Sequence, residues 1–266
     1  TPTNLWSIWY FYTVISLSRG NYRVLPLLGL LIGLIWHIHI ALAPALVATP
    51  IAALISRKLP SLKQVLLFCL TLFIISIPLF IFEMRHNFTQ VLSLINNFSS
   101  DHGGGSGAGK FNLILIKLSS NIQNLFFYPQ TLRIINPLML MLLILSGGLF
   151  LVKRELLTIR ELIPLYIWIA GVIIFFSLSS TIVSEYYLSN AEVIFIFLMS
   201  GLLSYLYKSL KFGKLLIIGI LGIILVKNLH YTATENYYHK GYIERKTAAE
   251  FIKKDYAFIC TYSNPN

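Results

Sequence analysis

Apolar residues occur along the chain in long runs that are separated by short segments rich in Lys and Arg. The runs are Leu5–Ser18, Val24–Ile40, Ala41–Ser56, Val65–Phe82, Pro137–Val152, Leu162–Leu178, Ala191–Tyr207 and Leu215–Val226. A helix that crosses a bilayer needs about 20 apolar residues, and these runs approach that length. The pattern therefore predicts an all-α polytopic membrane protein with about eight transmembrane helices.

The second and third runs adjoin each other without a polar break. As one helix, Val24–Ser56 would be about 50 Å long at ~1.5 Å per residue, which is too long for a single crossing. Basic residues flank both ends of this segment, so we predict that it folds back on itself. The turn is expected near His37 to His39 or at Pro44.

The composition excludes a water-soluble globule, because 56% of the residues are hydrophobic and only 12% are charged, against about 25% in soluble domains. The net charge is +11. Eleven of the cations fall in four loops on one side of the predicted membrane: Arg19, Arg23, Arg57, Lys58, Lys63, Lys153, Arg154, Arg160, Lys208, Lys211 and Lys214. Cytoplasmic loops carry such an excess, so this side is assigned to the cytoplasm. Topology thereby explains the basic charge, and we expect a multi-pass protein of the plasma membrane with no nucleic-acid partner.

The remaining polar segments then lie on the exoplasmic side. Residues 1–227 form the predicted transmembrane helical domain, with an external loop at 83–136 in which 111–128 is predicted as an amphipathic helix on the membrane surface. In residues 228–266, a helix with one apolar face is followed by a β-prone segment. We therefore expect this tail to be the start of a small exoplasmic α/β domain at the C-terminus.

A glycine-rich segment, Gly104–Lys110, has the spacing of a phosphate-binding P-loop. A P-loop follows a strand and carries Ser or Thr after its Lys, whereas Phe111 follows here and the loop is predicted to face away from cytosolic ATP. A flexible loop tip explains the glycines without a ligand. The sequence shows no paired-Cys or other metal-ligand motif, so we predict no cofactor and no metal-binding residues, and the sequence leaves dependence on a divalent metal open.

Two groups of polar residues on the exoplasmic side carry candidate chemistry. Glu83, Arg85 and His86 stand where a helix emerges from the membrane. Arg can bind phosphate oxygens through parallel hydrogen bonds, His exchanges protons near neutrality, and Glu can orient either one. Alternatively, they mark a helix end at which Arg merely extends to water. His39 in the predicted turn and Tyr187 in a short outer loop are further candidates, with a structural histidine and an aromatic belt as the alternatives.

Several segments resemble the GT-C membrane glycosyltransferases, in particular the bacterial branch related to protein O-mannosyltransferases and aminoarabinose transferases. The similar segments are the run Arg19–His39 followed by small residues, Pro78–Phe88 with its acid-x-Arg-His-x-Phe ending, Tyr186–Leu188 before a late helix, and the tail Tyr242–Asp255. Together these segments span most of the chain. The resemblance rests on the order in which they follow one another, more than on any single motif.

The resemblance implies an enzyme that transfers a sugar from a polyprenyl-phosphate donor to an acceptor on the exoplasmic face, with the donor and membrane lipid as partners. Arg85 and His86 match the place where the family binds the lipid-linked phosphate, and Tyr187 stands in for a frequent His-Tyr pair. Glu83 and His39 complete the predicted substrate-binding set. The family's catalytic acid sits in an early external loop that this sequence does not contain, so we expect a fragment without the N-terminal helices, inactive alone. A transporter or flippase of lipid-linked sugars and a membrane scaffold are the alternative functions.

Overall fold

The computed structural model describes residues 2–93, 107–127, 136–179, 182–234 and 244–251, and the regular structure in these ranges is entirely helical. The α-helices are α1 (Pro2–Ser18), α2 (Leu25–Ile38), α3 (Ala48–Ser56), α4 (Leu62–Arg85), α5 (Ala108–Phe127), α6 (Pro137–Lys153), α7 (Ile159–Leu178), α8 (Glu192–Ser209) and α9 (Gly213–Thr234). Three 3-10 segments connect some of them: Tyr22–Val24, Ile40–Val47 and Glu185–Ala191. Residues 89–93 and 244–251 are also helical. The all-α class is thus confirmed, whereas the β-prone part of the tail lies outside the described ranges.

Three segments of the described chain are long and apolar enough to cross a membrane: Leu62–Arg85, Ile159–Leu178 and Tyr186–Ser209. Three further apolar segments are shorter: Tyr22–Ile38, Ile40–Ser56 and Pro137–Lys153. Helix α4 has the most exposed surface of the long segments, because none of its apolar window is buried inside the protein. A helix that is apolar on all sides and exposed has the surface of a helix surrounded by lipid.

The predicted fold-back between α2 and α3 is confirmed. Helix α2 ends at Ile38, and His39 adopts an extended backbone (φ −172°, ψ 127°) before the 3-10 segment that contains Pro44. At the other end of the hairpin, the hydroxyl of Tyr22 donates a hydrogen bond to the Lys58 carbonyl at 2.7 Å. The two ends of the apolar run therefore lie side by side, and the turn lies at His39.

Helix α2 packs closely on α4 through two glycines one turn apart, Gly29 and Gly33. A Cβ atom on Gly29 would come within 2.4 Å of the Phe68 carbonyl oxygen, and one on Gly33 would meet an α4 side chain at 2.8 Å. Thr71 on α4 donates a hydrogen bond to the Pro26 carbonyl at 2.9 Å. Gly-x-x-x-Gly spacing lets two helix backbones approach, and in lipid such packing drives helix association.

The centre of the bundle is one face of α1 packed against α7 and the hairpin. Trp6, Tyr10 and Val14 recur at every fourth position and are buried. The Tyr10 ring meets Trp168 of α7 edge-on with centroids 4.9 Å apart. The Tyr10 hydroxyl donates to the Ala45 carbonyl at 2.9 Å, so this buried polar atom has a partner.

Helix α5 corresponds to the amphipathic helix predicted at 111–128. Its fully buried apolar residues are Ile114, Leu118 and Ile122. They lie on the side that packs against α6 and α7, whereas Leu113 and Ile116 remain exposed. The helix therefore presents apolar side chains both to the protein and to its surroundings. Its location on the outer membrane surface stays a prediction, as does the division into 1–227 and 228–266.

The four basic loops lie together at one end of the bundle, which we call the basic end. Arg19 after α1 forms an ion pair with the first turn of α7. The hydrogen bond from Tyr22 to Lys58 joins the first loop to the second. The guanidinium carbon of Arg154 lies 5.4 Å from the ring centroid of Tyr205 near the end of α8, which joins the third loop to the fourth. The charge pattern along the sequence thus corresponds to one cluster of loops in space.

Candidate substrate-binding site

The end of the bundle opposite the basic end brings together His39 and the tyrosine pair. Helix α2 starts at the basic end and ends before His39, and α7 starts there and leads to the segment with Tyr186 and Tyr187. The imidazole centroid of His39 lies 4.9 Å from the Tyr187 ring and 5.6 Å from the Tyr186 ring. His39 and Tyr187, both predicted from the sequence to bind substrate, are therefore neighbours in space.

The backbone determines which nitrogen of His39 can face a ligand. Its Nδ1 accepts a hydrogen bond from the backbone N–H of Ala41 at 3.1 Å. In the neutral ring Nδ1 then carries no proton, and Nε2–H is the donor. Burial lowers the pKa of His39 below its ordinary value of 6.5, which favours this neutral form. The site thus presents a neutral N–H donor beside two tyrosines.

Sequence reasoning missed Asn190, which holds the two parts of this site together. The residue is 1% exposed. Its Nδ2 donates to the carbonyl oxygens of Tyr187 at 2.9 Å and Ala41 at 3.4 Å. Its Oδ1 accepts from Nε1 of Trp168 at 3.0 Å. One amide therefore satisfies two backbone carbonyls and the indole N–H. The sequence gives only a weak signal for this role, because Asn190 is simply a polar residue next to the apolar run Ala191–Tyr207.

Two lysines of α5 attach that helix to the segment leading to the tyrosines. Lys110 donates a hydrogen bond to the Ser179 carbonyl, and Lys117 donates one to the Val183 carbonyl at 2.7 Å. Lys110 is only 5% exposed. The lysine of the glycine-rich motif is therefore used inside the protein, and the absence of nucleotide binding stays a prediction. Residues 104–106 of that motif lie outside the described ranges.

An apolar groove between α1 and α2 leads toward His39. Its volume is about 260 Å³, near the lower end of the ~300–1,000 Å³ typical of ligand sites. Trp6 and Trp9 of α1 face the leucines of α2 across it, and the groove ends at Ile38, next to His39. Nε1 of Trp6 donates to the Leu31 carbonyl at 2.8 Å, which leaves apolar surface toward the groove. Such a groove can hold an isoprenoid or acyl chain.

The second predicted group lies at the end of α4, which begins at the basic end and extends over 24 residues to Arg85. Glu83 is 3% exposed. Its Oε2 accepts a hydrogen bond from the backbone N–H of Val91 at 3.4 Å, and its Oε1 has no partner among the described residues. Asn87 and Phe88 have φ of 53° and 58°, a backbone conformation that residues other than glycine seldom adopt. The chain thus reverses tightly beside a buried carboxylate.

Arg85 and His86 are exposed at this turn. Nδ1 of His86 lies 2.8 Å from the Phe82 carbonyl, and its ring stacks on Phe82 with centroids 4.0 Å apart. Within the described ranges the guanidinium of Arg85 has no hydrogen bond or ion pair, so it is available to an anion. Among the described side chains, no hydrogen bond or ring contact joins this group to His39 or Tyr187. The predicted residues therefore form two groups at this end of the bundle.

Comparison with known proteins gives no relative for this chain. No family model matches it, and neither a curated protein nor a solved structure matches it.

Proposed function

We propose that this protein is a membrane glycosyltransferase of the GT-C type, which transfers a sugar from a polyprenyl-phosphate donor to an acceptor on the exoplasmic face. The observation that carries the proposal is the apolar groove whose lining includes Ile38, the residue before His39, together with the contact between the rings of His39 and Tyr187. A lipid-linked sugar combines a long apolar tail with a polar head of phosphate and hydroxyl groups. A mostly apolar site with a few convergent polar groups suits such a molecule.

The polar groups suit the charge that develops during transfer. Breaking the sugar–phosphate bond leaves negative charge on the departing phosphate, which positioned donors stabilise. Neutral His39 and the hydroxyl of Tyr187 supply uncharged donors. Arg85 supplies a planar fork that can bind phosphate through two parallel hydrogen bonds. In this proposal they bind and orient the donor together with His86 and Glu83, and none of them is assigned as the general base that activates the acceptor hydroxyl.

The proposed topology is that of a multi-pass plasma-membrane protein with about eight membrane helices, in which the short helices α2 and α3 enter the membrane as a hairpin. The eleven cations at the basic end support a cytoplasmic location for that end. The site at the opposite end then faces the exoplasmic side, where a lipid-linked donor would be used. Residues 228–266 are proposed to begin an external α/β domain, of which the helical range 244–251 is one part.

Arg85 provides the test. Sugar transfer from a polyprenyl-phosphate donor is measured in the full-length protein, which should also contain the early external loop with the catalytic acid. Wild type, Arg85→Lys and Arg85→Ala are compared at equal expression, with Arg160→Lys at the basic end as the matched control. Lysine preserves the charge but cannot form the two parallel bonds. Loss of one charge-assisted bond of ~1.5–3 kcal/mol corresponds to a decrease of roughly ten- to over a hundred-fold in transfer. The Arg160→Lys protein should retain the wild-type rate.

Each alternative has its own outcome in this experiment. Near-wild-type transfer by Arg85→Lys would show that Arg85 does not bind the donor phosphate through two parallel hydrogen bonds. Binding of the lipid-linked sugar by the wild type without any transfer would favour a transporter or flippase. A wild-type protein that neither binds nor transfers the sugar would favour a membrane scaffold.

A further inference from the structure

A second apolar cavity lies at the basic end, and the proposed transfer reaction does not use it. Its volume is about 290 Å³, and it lies where α1, α3 and α4 meet. Most of its lining is apolar, with Leu17, Leu54 and Phe68 among the side chains that form it. Lys58 is the charged residue at its wall. The cavity therefore combines an interior suited to hydrocarbon with a cation at its edge.

The local backbone holds Lys58 at this cavity. After α3 ends, Arg57 adopts a left-handed conformation (φ 54°, ψ 17°) that redirects the chain. The Lys58 carbonyl then accepts the hydrogen bond from Tyr22. Gly20 has φ 75°, and a Cβ atom there would come within 2.6 Å of Cδ of Lys58. The missing side chain at Gly20 thus makes room for the lysine stem, while Lys58 as a whole stays exposed.

The cations beside this cavity have no acidic partners. Arg57 precedes Lys58 at the end of α3, Lys63 lies in the first turn of α4, and all three are exposed. Within the described part of the chain, none of the three forms an ion pair with Asp or Glu. Arg19 in the neighbouring loop differs, because Glu161 neutralises it. The edge of the cavity therefore carries net positive charge.

We propose that this cavity binds an anionic phospholipid of the surrounding bilayer, with part of an acyl chain in the cavity and the phosphate beside Lys58, Arg57 and Lys63. Charge complementarity supports this occupant. A soluble anion would leave the apolar walls uncovered, and a lipid without net charge would leave the three cations uncompensated. Basic pockets between membrane helices on the cytoplasmic side bind anionic head groups in this way. The site is separate from the proposed sugar-donor site, because it lies at the opposite end of the bundle.

Two lipids with the same acyl chains, one anionic and one without net charge, test this proposal. The full chain is purified in a neutral detergent, and binding of dioleoyl phosphatidylglycerol and dioleoyl phosphatidylcholine is titrated by native mass spectrometry. The acyl chains are identical, so the ratio of the two affinities reports the effect of the head group. Each cation near an anionic lipid contributes about fivefold in affinity. We expect Arg57→Gln/Lys58→Gln/Lys63→Gln to bind phosphatidylglycerol roughly a hundredfold more weakly than wild type does, with phosphatidylcholine binding unchanged.

A matched variant controls for diffuse charge. Lys208→Gln/Lys211→Gln/Lys214→Gln removes the same charge at the same end of the bundle, from the junction of α8 and α9, where none of the three lysines lines either described cavity. It should retain the preference for phosphatidylglycerol. If the first triple variant unfolds, Lys58→Gln alone should still weaken phosphatidylglycerol binding by about fivefold. Ala53→Phe, which fills the cavity without changing charge, should weaken the binding of both lipids.

Three outcomes would overturn the proposal. Equal losses in the two triple variants would show that the cations act only as diffuse charge. Equal affinity of the wild type for the two lipids would show that the site does not select anionic head groups. Displacement of phosphatidylglycerol by millimolar glycerol phosphate would assign the cations to a soluble phosphate instead of a membrane lipid.

Discussion

Nε of Arg19 lies 2.5 Å from Oε1 of Glu161, and this ion pair joins the C-terminal end of α1 to the first turn of α7. The other carboxylate oxygen accepts hydrogen bonds from the backbone N–H and the hydroxyl of Thr158, each at 2.8 Å. Glu161 therefore completes the capping box of α7 and also fixes the position of α1. Its side chain is 5% exposed, whereas that of Arg19 is 66% exposed.

This difference predicts that the two partners contribute unequally to stability. Arg19→Gln removes a mostly exposed charge, and we expect a loss of less than ~1 kcal/mol in the free energy of unfolding. Glu161→Ala also removes the helix cap and leaves Thr158 without its acceptor, so we expect a loss of about 1–2 kcal/mol. Unfolding by titration with a denaturing detergent measures both, with Arg160→Gln as an exposed control. Equal losses for the two variants would contradict this account.

The clustering of the basic loops predicts the sidedness of the protein. In a chain whose two native cysteines are replaced by serine, we expect Leu59→Cys and Ser209→Cys to be protected from a membrane-impermeant thiol reagent in intact cells. Thr89→Cys and Ile182→Cys, at the opposite end, should react. All four positions are exposed, so access depends on the membrane and not on burial. Labelling before and after permeabilisation measures this, and labelling of Ser209→Cys with protection of Ile182→Cys would reverse the orientation.

The fold-back at His39 could be predicted because two simple quantities decide it. The apolar run Val24–Ser56 is longer than a bilayer is thick, and cations flank both of its ends. The all-helical class follows in the same way from the length and composition of the apolar runs. Which helix packs on which does not follow, since it depends on shape. The close contact of α2 with α4 rests on Gly29 and Gly33, whose role appears only once Phe68 faces them.

The candidate site could be predicted in part. Polar residues at the ends of apolar runs identified His39, Tyr187 and Arg85. The role of Asn190 could not be predicted, because its partners Ala41 and Trp168 lie far away in the sequence. The division of the predicted residues into two groups is likewise a property of helix packing, on which hydrophobic periodicity and charge carry no information.

The packing of α2 on α4 predicts an effect of the smallest possible substitution. A Cβ atom at Gly29 would lie 2.4 Å from the backbone oxygen of Phe68, which cannot rotate away. Gly29→Ala should therefore cost about 1–3 kcal/mol in stability, as overpacking does. Gly219→Ala in α9 is the control, because nothing lies within 4 Å of that position. A helical Gly is less favourable than Ala by ~0.5–1 kcal/mol, so the control should be neutral or slightly stabilising. The midpoints of thermal unfolding of the two variants are measured in the same detergent. Equal midpoints would contradict the prediction, because they would show that α2 and α4 can move apart without loss of stability.

The environment of His39 predicts a pH dependence of stability. Burial lowers the pKa of His39 in the folded protein below its ordinary value of 6.5. As the pH falls below that ordinary value, the unfolded chain binds the proton first, so the folded state loses stability until the pH passes the lowered pKa. His39→Asn keeps an oxygen that can accept the Ala41 N–H but does not titrate. We therefore expect the unfolding midpoint of wild type to fall more steeply than that of His39→Asn between neutral and mildly acidic pH. A wild-type profile parallel to that of His39→Asn would show that protonation of His39 is not coupled to folding.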